Sequence, residues 1–208
     1  MKGFLITFEG IDFCGKSVQI EQLVNKLQAK QVKFSLLREP GGTIISEKIR
    51  EALLTKEKED MNPVTEYLLF SAARAQVTNK NILHALDKGE VVICDRYFDS
   101  STAYQGYGRG IDLEIINKIN FFATNGIKPD LTFLIDIDLK EMEKRKQLAA
   151  GELDRMEDQA ADFFKKVRQG YLLIANNEPE RFRVIDGKKS VDSISKEIWQ
   201  EINNKIKL

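Results

Sequence analysis

A chain of 208 residues with 42% hydrophobic and 31% charged side chains has the size and composition of one domain with a full core, so residues 1–208 are expected to form a single domain. Lys+Arg and Asp+Glu number 32 each, so no global basic field draws in nucleic acid, and any bound anion must be held by locally placed groups. No apolar run nears the ~20 residues that cross a bilayer. The N-terminus enters a strand at once instead of a signal peptide, and Cys14 and Cys94 show no disulfide-framework spacing. A soluble cytoplasmic chain without membrane or nucleic-acid partners is the expectation.

Along the chain, FLITFE, VKFSLLRE, EVVICD, LTFLIDI and RFRVID are short and β-rich, and most are apolar without interruption. Such strands are buried on both faces, as in a parallel sheet covered by helices. Between them lie stripes of helical period. Ile20, Leu23, Val24 and Leu27 form one, and Ile194, Ile198, Ile202 and Ile206 form another. A long helix is predicted from a capping Asn62 and Pro63 to Lys88, stopped by Gly89. The alternation predicts an α/β fold, a three-layer sandwich around a five-stranded parallel sheet with right-handed crossovers. Ligands in such folds sit beyond the carboxyl ends of the strands.

Directly after the first strand stands Gly10-Ile11-Asp12-Phe13-Cys14-Gly15-Lys16-Ser17, which matches the P-loop pattern G-x-x-x-x-G-K-S/T. Its glycines let successive backbone N–H groups converge on phosphate oxygens at a helix N-terminus. Lys16 would reach the β- and γ-phosphates of ATP, and the Ser17 hydroxyl would ligate magnesium. No N-K-x-D motif for guanine is present. The third strand ends in Asp95-Arg96-Tyr97, which puts Asp95 where a carboxylate would help organise magnesium; a strand-end ion pair with Arg96 is the plainer alternative. Arg96 stands where a hydrolase would carry Glu, which suggests a second anionic substrate.

Other elements point the same way. Arg38-Glu39-Pro40-Gly41-Gly42-Thr43 follows the second strand, with Arg50 in the helix beyond it. Phe70 and Arg74 are spaced i, i+4, so a ring and a guanidinium share a helix face, as a base site would need. Taken alone, that pair reads better as a core Phe with a surface Arg. Arg50 and Arg96 could clamp a phosphate. Ser100, Ser101, Tyr104 and Gln105 offer neutral hydrogen-bonding groups and a ring to wall a sugar. Residues 146–158, with Gly151-Glu152-Leu153-Asp154-Arg155 at their centre, read as a mobile charged lid.

In order and spacing, FEGID…GKS, REPGGT, FSAARAQ, DRYFDSSTAYQG, KPDLTFLIDI and GELDRMED resemble the bacterial thymidylate kinases, from Met1 to about Tyr171. The resemblance implies a P-loop nucleoside monophosphate kinase fold and ATP-dependent phosphorylation of dTMP to dTDP, with magnesium, on the route to dTTP. It also implies a homodimer, for which the long helix with Ala72, Ala73 and Leu86 is the preferred interface. By matching position, Phe70 would stack on thymine and Arg74 would bond its carbonyl edge. Arg50 and Arg96 would hold the dTMP phosphate, Ser101 and Gln105 would contact the base or its surroundings, and Tyr104 would crowd the 2′ position. Asp12 would lie near the acceptor, and Asp12 and Asp95 would serve positioning and magnesium.

The family supplies a catalytic arginine either after the P-loop acid or just before the lid, and such a group is worth ~10³–10⁵ in rate. Here those places hold Phe13 and Ala150. Lys16, Asp12 and Arg96 remain as catalytic candidates, joined by Arg145 or Arg155 closing over the phosphates, with Lys146 as a weaker substitute. His84, the only histidine, reads as structural. Two competing expectations are a related kinase with another acceptor and a nucleotide-binding regulator with weakened catalysis.

Overall fold

The computed structural model describes residues 3–57, 59–149 and 152–206. Among these, β1 (Phe4–Glu9), β2 (Phe34–Arg38), β3 (Val91–Asp95), β4 (Leu131–Asp136) and β5 (Phe182–Asp186) form one sheet in the order β2-β3-β1-β4-β5. Every pair is parallel. The three central strands are almost wholly buried, which is what their unbroken apolar sequences predict. The edge strands depart from that expectation: Leu36 and Val184 are both 49% exposed, because an outer strand is covered on fewer sides.

The register aligns the strand ends that matter. Phe8 pairs with Asp95, and Arg38 pairs with the same Asp95, so the segments leaving β1, β2 and β3 start at one level. Helix α1 (Lys16–Ala29) buries Ile20, Leu23 and Leu27, and α9 (Val191–Ile206) buries Ile194, Ile198 and Ile202 in the same core. Helix α2 (Ile44–Leu54) is capped by Thr43, whose hydroxyl accepts from Ser46 N at 3.1 Å.

The predicted long helix is continuous but not uniform. It begins as α3 (Pro63–Val77), capped by Asn62 Oδ1 accepting from Val64 N at 2.8 Å, passes through a π-helical turn at Thr78–Ile82, and ends as α4 (Leu83–Asp87) before Gly89. A second π-helical stretch, Thr102–Gly108, follows the short α5 (Phe98–Ser101). Such wide turns re-aim side chains inside a helix and recur at functional sites. Beyond it come α6 (Leu113–Ala123), α7 (Leu139–Leu148) and α8 (Ala161–Asn177). Beneath this layer, Arg181 donates to both Asp99 oxygens at 2.7 Å, with its guanidinium 5.2 Å from the Phe98 ring and 4.4 Å from that of Phe182.

Candidate active site

β1 hands over to the P-loop at Gly10, whose φ of 138° lies in the left-handed region. A Cβ there would stand 2.5 Å from Ile135 O and 2.8 Å from Cys14 Sγ, so only glycine lets the loop lie flat on β4. Gly15, φ 99°, closes the loop and caps α1. Lys16 folds back over it, with Nζ donating to Gly10 O at 3.1 Å and Ile11 O at 3.2 Å, while Ser17 is exposed in the first turn of α1. Phe13, between them, holds φ 62°, an uncommon conformation for a bulky side chain.

The loop forms one wall of a cavity of about 460 Å³. Asp12, Phe13, Gly15, Lys16 and Ser17 line that wall, and Arg145 lies beside them. Arg50, Phe70, Asp95, Arg96, Ser101, Tyr104 and Gln105 line the rest, with Asp154, Met156 and Glu157 from the lid segment. Residues far apart in sequence therefore meet in one chamber, and its volume falls in the ordinary range for small-molecule sites.

Arg96 anchors the chamber from a left-handed backbone, φ 69°. Its Nη2 donates to Asp12 Oδ1 at 2.6 Å and its Nη1 to Gly10 O at 3.0 Å, and its guanidinium lies 5.1 Å from the Tyr104 ring centre. Tyr104 OH donates to the other Asp12 oxygen at 2.8 Å. Burial opposes ionisation of Asp12, but the charges of Arg96 and Lys16 and these hydrogen bonds outweigh it and hold its carboxyl below the usual range. Asp12, not Asp95, is thus the ion-pair partner of Arg96. Asp95 Oδ1 is buried without a hydrogen-bond partner among the described residues.

Arg74 lies behind the chamber wall and is only 1% exposed, so the surface-arginine alternative fails. Its Nε donates to Glu39 Oε2 at 2.7 Å, Nη1 to Ser101 Oγ at 3.0 Å, and Nη2 to Tyr97 O at 3.2 Å. Phe70, one turn away, faces the cavity. The structure therefore joins Arg74 to the site through Ser101 and Glu39, both of which line it. Arg50 lines it directly, with Nη1 donating to Pro40 O at 3.0 Å.

The two arginines expected to close over the phosphates part company. Arg145 reaches the P-loop from α7, donating to Cys14 O at 3.1 Å and to Gly187 O at 2.8 Å. Arg155 turns the other way: Nη1 donates to Glu66 Oε2 at 2.6 Å and Nε to Leu53 O at 2.7 Å, and it lines a neighbouring cavity of about 410 Å³. Lys146 donates to Glu157 O at 2.9 Å. Ala150 and Gly151 lie outside the described residues.

Sequence reading missed Glu9 and Tyr171. Glu9 is fully buried beneath Arg96 and accepts from Tyr97 N at 2.7 Å, Ser100 Oγ at 2.6 Å and Tyr171 OH at 2.8 Å. Ser100 Oγ and Tyr171 OH in turn each accept from Arg96 Nη1 at 3.2 Å. Burial first, then the charge of Asp99, push the Glu9 carboxyl up to about 7, against Arg96 and the two hydroxyls. The available signal was a lone acid closing an otherwise apolar strand just before the P-loop.

The thymidylate kinase family model matches residues 8–198. A thymidylate kinase of Caldanaerobacter subterraneus subsp. tengcongensis is 45% identical over 207 residues, 100% of this chain and 98% of that one. One from Pelodictyon phaeoclathratiforme is 48% identical over 186 residues, covering 86% and 85%. The crystal structure of thymidylate kinase from Ehrlichia chaffeensis superposes with a TM-score of 0.80 at 32% identity, over 97% of this chain and 100% of that one. With the P-loop and its facing arginines in one chamber and these matches spanning nearly the whole length, the chain belongs to the thymidylate kinase family.

Proposed function

We propose that residues 1–208 work as one catalytic domain that transfers the γ-phosphoryl group of ATP to dTMP, giving dTDP and ADP. The observation that carries this reading is the shared chamber: Lys16 and Gly15 line one side of it, and Arg50, Phe70, Arg96 and Gln105 line the other. Residues 10–17 hold the ATP phosphates, with Lys16 exchanging its loop carbonyls for β- and γ-phosphate oxygens. Arg50 and Arg96 hold the dTMP phosphate, Phe70 stacks on the base, and Ser101, Gln105 and the Arg74 behind them set its edge. Tyr104, fixed by Asp12, crowds the sugar at its 2′ side. A dTMP phosphate is already a nucleophile near neutral pH, so Asp12 and Arg96 position it and no general base is required. Arg145, bonded to the loop at Cys14 O, neutralises charge on the transferring group. Arg155 and residues 146–158 act from the lid.

Magnesium fits the donor set. Asp95 Oδ1 is a buried oxygen without a partner, and the Ser17 hydroxyl is exposed at the P-loop end. These two residues would hold the ion, which when bound supplies neutralising charge for the phosphate oxygens.

The same proposal includes a homodimer. Phe121 and Phe122 on α6 are 69% and 82% exposed, and Val64 and Leu68 on the adjoining α3 are 54% and 49% exposed. Ala73 is buried within the chain, so the interface uses the Val64, Leu68 and Ala72 side of α3. Among the described residues no helix is long and apolar enough to cross a membrane. A cytoplasmic location rests on Cys14 and Cys94, both free thiols.

Coupled ADP release across dTMP, dUMP, UMP, CMP and AMP tests the activity: turnover is expected to be fastest with dTMP, and a ribonucleotide in first place would overturn the reading. Light scattering should give the mass of two chains.

A further inference from the structure

Glu66 lies in the first turn of α3 and is fully buried, yet nothing in the phosphoryl transfer uses it. Its carboxylate takes four side-chain hydrogen bonds. Oε1 accepts from Gln105 Nε2 at 2.8 Å and Arg109 Nε at 3.2 Å. Oε2 accepts from Arg109 Nη2 at 3.0 Å and Arg155 Nη1 at 2.6 Å. Burial disfavours the charge, but the bonds from Arg109 and Gln105 more than compensate and hold the carboxyl below its usual range.

An ionised carboxylate can only accept, which decides the orientation of its neutral neighbour. The Gln105 amide must turn its NH₂ toward Glu66, and its carbonyl oxygen is then the end left over. Gln105 is 1% exposed and lines the large cavity, and no described residue donates to its Oε1. The side chain therefore offers the chamber an acceptor, not a donor.

We propose that Glu66 is a positioning residue for base selection: by taking the Gln105 N–H, it presents the Gln105 carbonyl oxygen to the base edge. A pyrimidine with a hydrogen on N3, such as thymine or uracil, meets that oxygen with a donor. Cytosine meets it with a lone pair. A buried acceptor facing a lone pair is left unpaired, and a site built around one such bond rejects the wrong partner strongly. The proposal rests on dTMP binding with its base against Phe70.

The alternative is that Glu66 only holds the fold together, since it also neutralises Arg109 and pairs with Arg155 at the lid. The two roles differ in what a substitution changes. Loss of a purely structural group lowers kcat/KM for every acceptor in proportion. Loss of the amide's polarity changes the ratio between acceptors, because a Gln at position 66 can either donate or accept and lets the Gln105 amide turn over.

The experiment measures kcat/KM for dTMP and dCMP with the full chain, its Glu66→Gln variant and an Arg109→Lys control. Both substitutions should lower Tm. Glu66→Gln should narrow the dTMP-to-dCMP ratio by about tenfold or more, whereas Arg109→Lys, which leaves the Glu66–Gln105 bond in place, should keep it within about twofold. A Glu66→Gln ratio equal to that of the unsubstituted chain overturns the proposal alone. An unsubstituted chain inactive on dTMP overturns the acceptor reading and the proposal with it. If Glu66→Gln does not fold, a neutron structure of the unsubstituted protein with dTMP decides. Deuterons of Gln105 Nε2 facing Glu66 support the proposal, and deuterons facing the base refute it.

Discussion

Replacing Glu9 by Gln should change how stability depends on pH. The carboxyl rises from 4.5 to about 7 on folding, so between those values the folded state holds a proton that the unfolded chain has released. Its contribution to stability is complete below 4.5 and is lost as pH rises through about 7. Linkage between these two values integrates to roughly 2–3 kcal/mol from pH 5 to pH 8, on the order of 5–10 °C in Tm for a chain of this size. Asp99 is present in both proteins, so the difference reports the Glu9 side of that interacting pair. Glu9→Gln keeps an oxygen for Tyr97 N, and Ser100 and Tyr171 are hydroxyls that can accept as well as donate. The variant should therefore fold and lose the acid-side gain. Urea unfolding of both proteins at pH 5 and pH 8 measures the gap between them. The variant should gain on the unsubstituted protein by roughly 2–3 kcal/mol on going to pH 8. A gap that stays constant within about 0.5 kcal/mol refutes the reasoning.

Three further outcomes follow from the same geometry. Gly10→Ala places a Cβ 2.5 Å from Ile135 O in a left-handed backbone, and about 1–3 kcal/mol of strain should distort the loop and abolish ATP binding, read by calorimetry. Asp99→Asn breaks the buried two-point pair with Arg181 and should cost about 3 kcal/mol in denaturant unfolding, with dTMP and ATP KM values unchanged. Arg145→Ala removes the cation bonded at Cys14 O and should lower kcat by about 10² or more while leaving KM for dTMP in place, read by steady-state kinetics.

The sheet was legible because its signals are local. FLITFE, EVVICD and LTFLIDI are short, largely apolar runs, and each became a central strand, with residues at or just after the ends of the first two lining the chamber. The P-loop was legible for the same reason: Gly10, Gly15, Lys16 and Ser17 sit within one turn of chain. What escaped were interactions between distant residues. Nothing near Glu66 in sequence announces Arg109, Arg155 or Gln105, and a buried glutamate in a first helical turn looks like a helix-dipole residue. Tyr171 meets Glu9 across 162 positions. Arg74 shows the mixture: its i, i+4 spacing from Phe70 was visible, but that it lies behind the wall, bonded to Ser101, was not.

The cation question then has a structural form. Either candidate arginine must leave its present partners to reach a phosphate, and those partners set how hard that is. Arg155 would abandon a buried carboxylate at 2.6 Å and a carbonyl at 2.7 Å, and would leave Glu66 with fewer charges to balance it. Breaking such a buried pair costs several kcal/mol. Arg145 is held through Nη1 and Nη2 by carbonyls of Cys14 and Gly187 and through Nε by Glu141, at a site where its guanidinium already lines the cavity. A phosphate oxygen beside the P-loop would replace neutral acceptors with a charged one, a favourable exchange for a guanidinium. Phe13 cannot supply that charge; on the proposed reading the cation comes from α7 across the loop, and Arg145 is the residue whose removal should slow the chemistry without weakening acceptor binding.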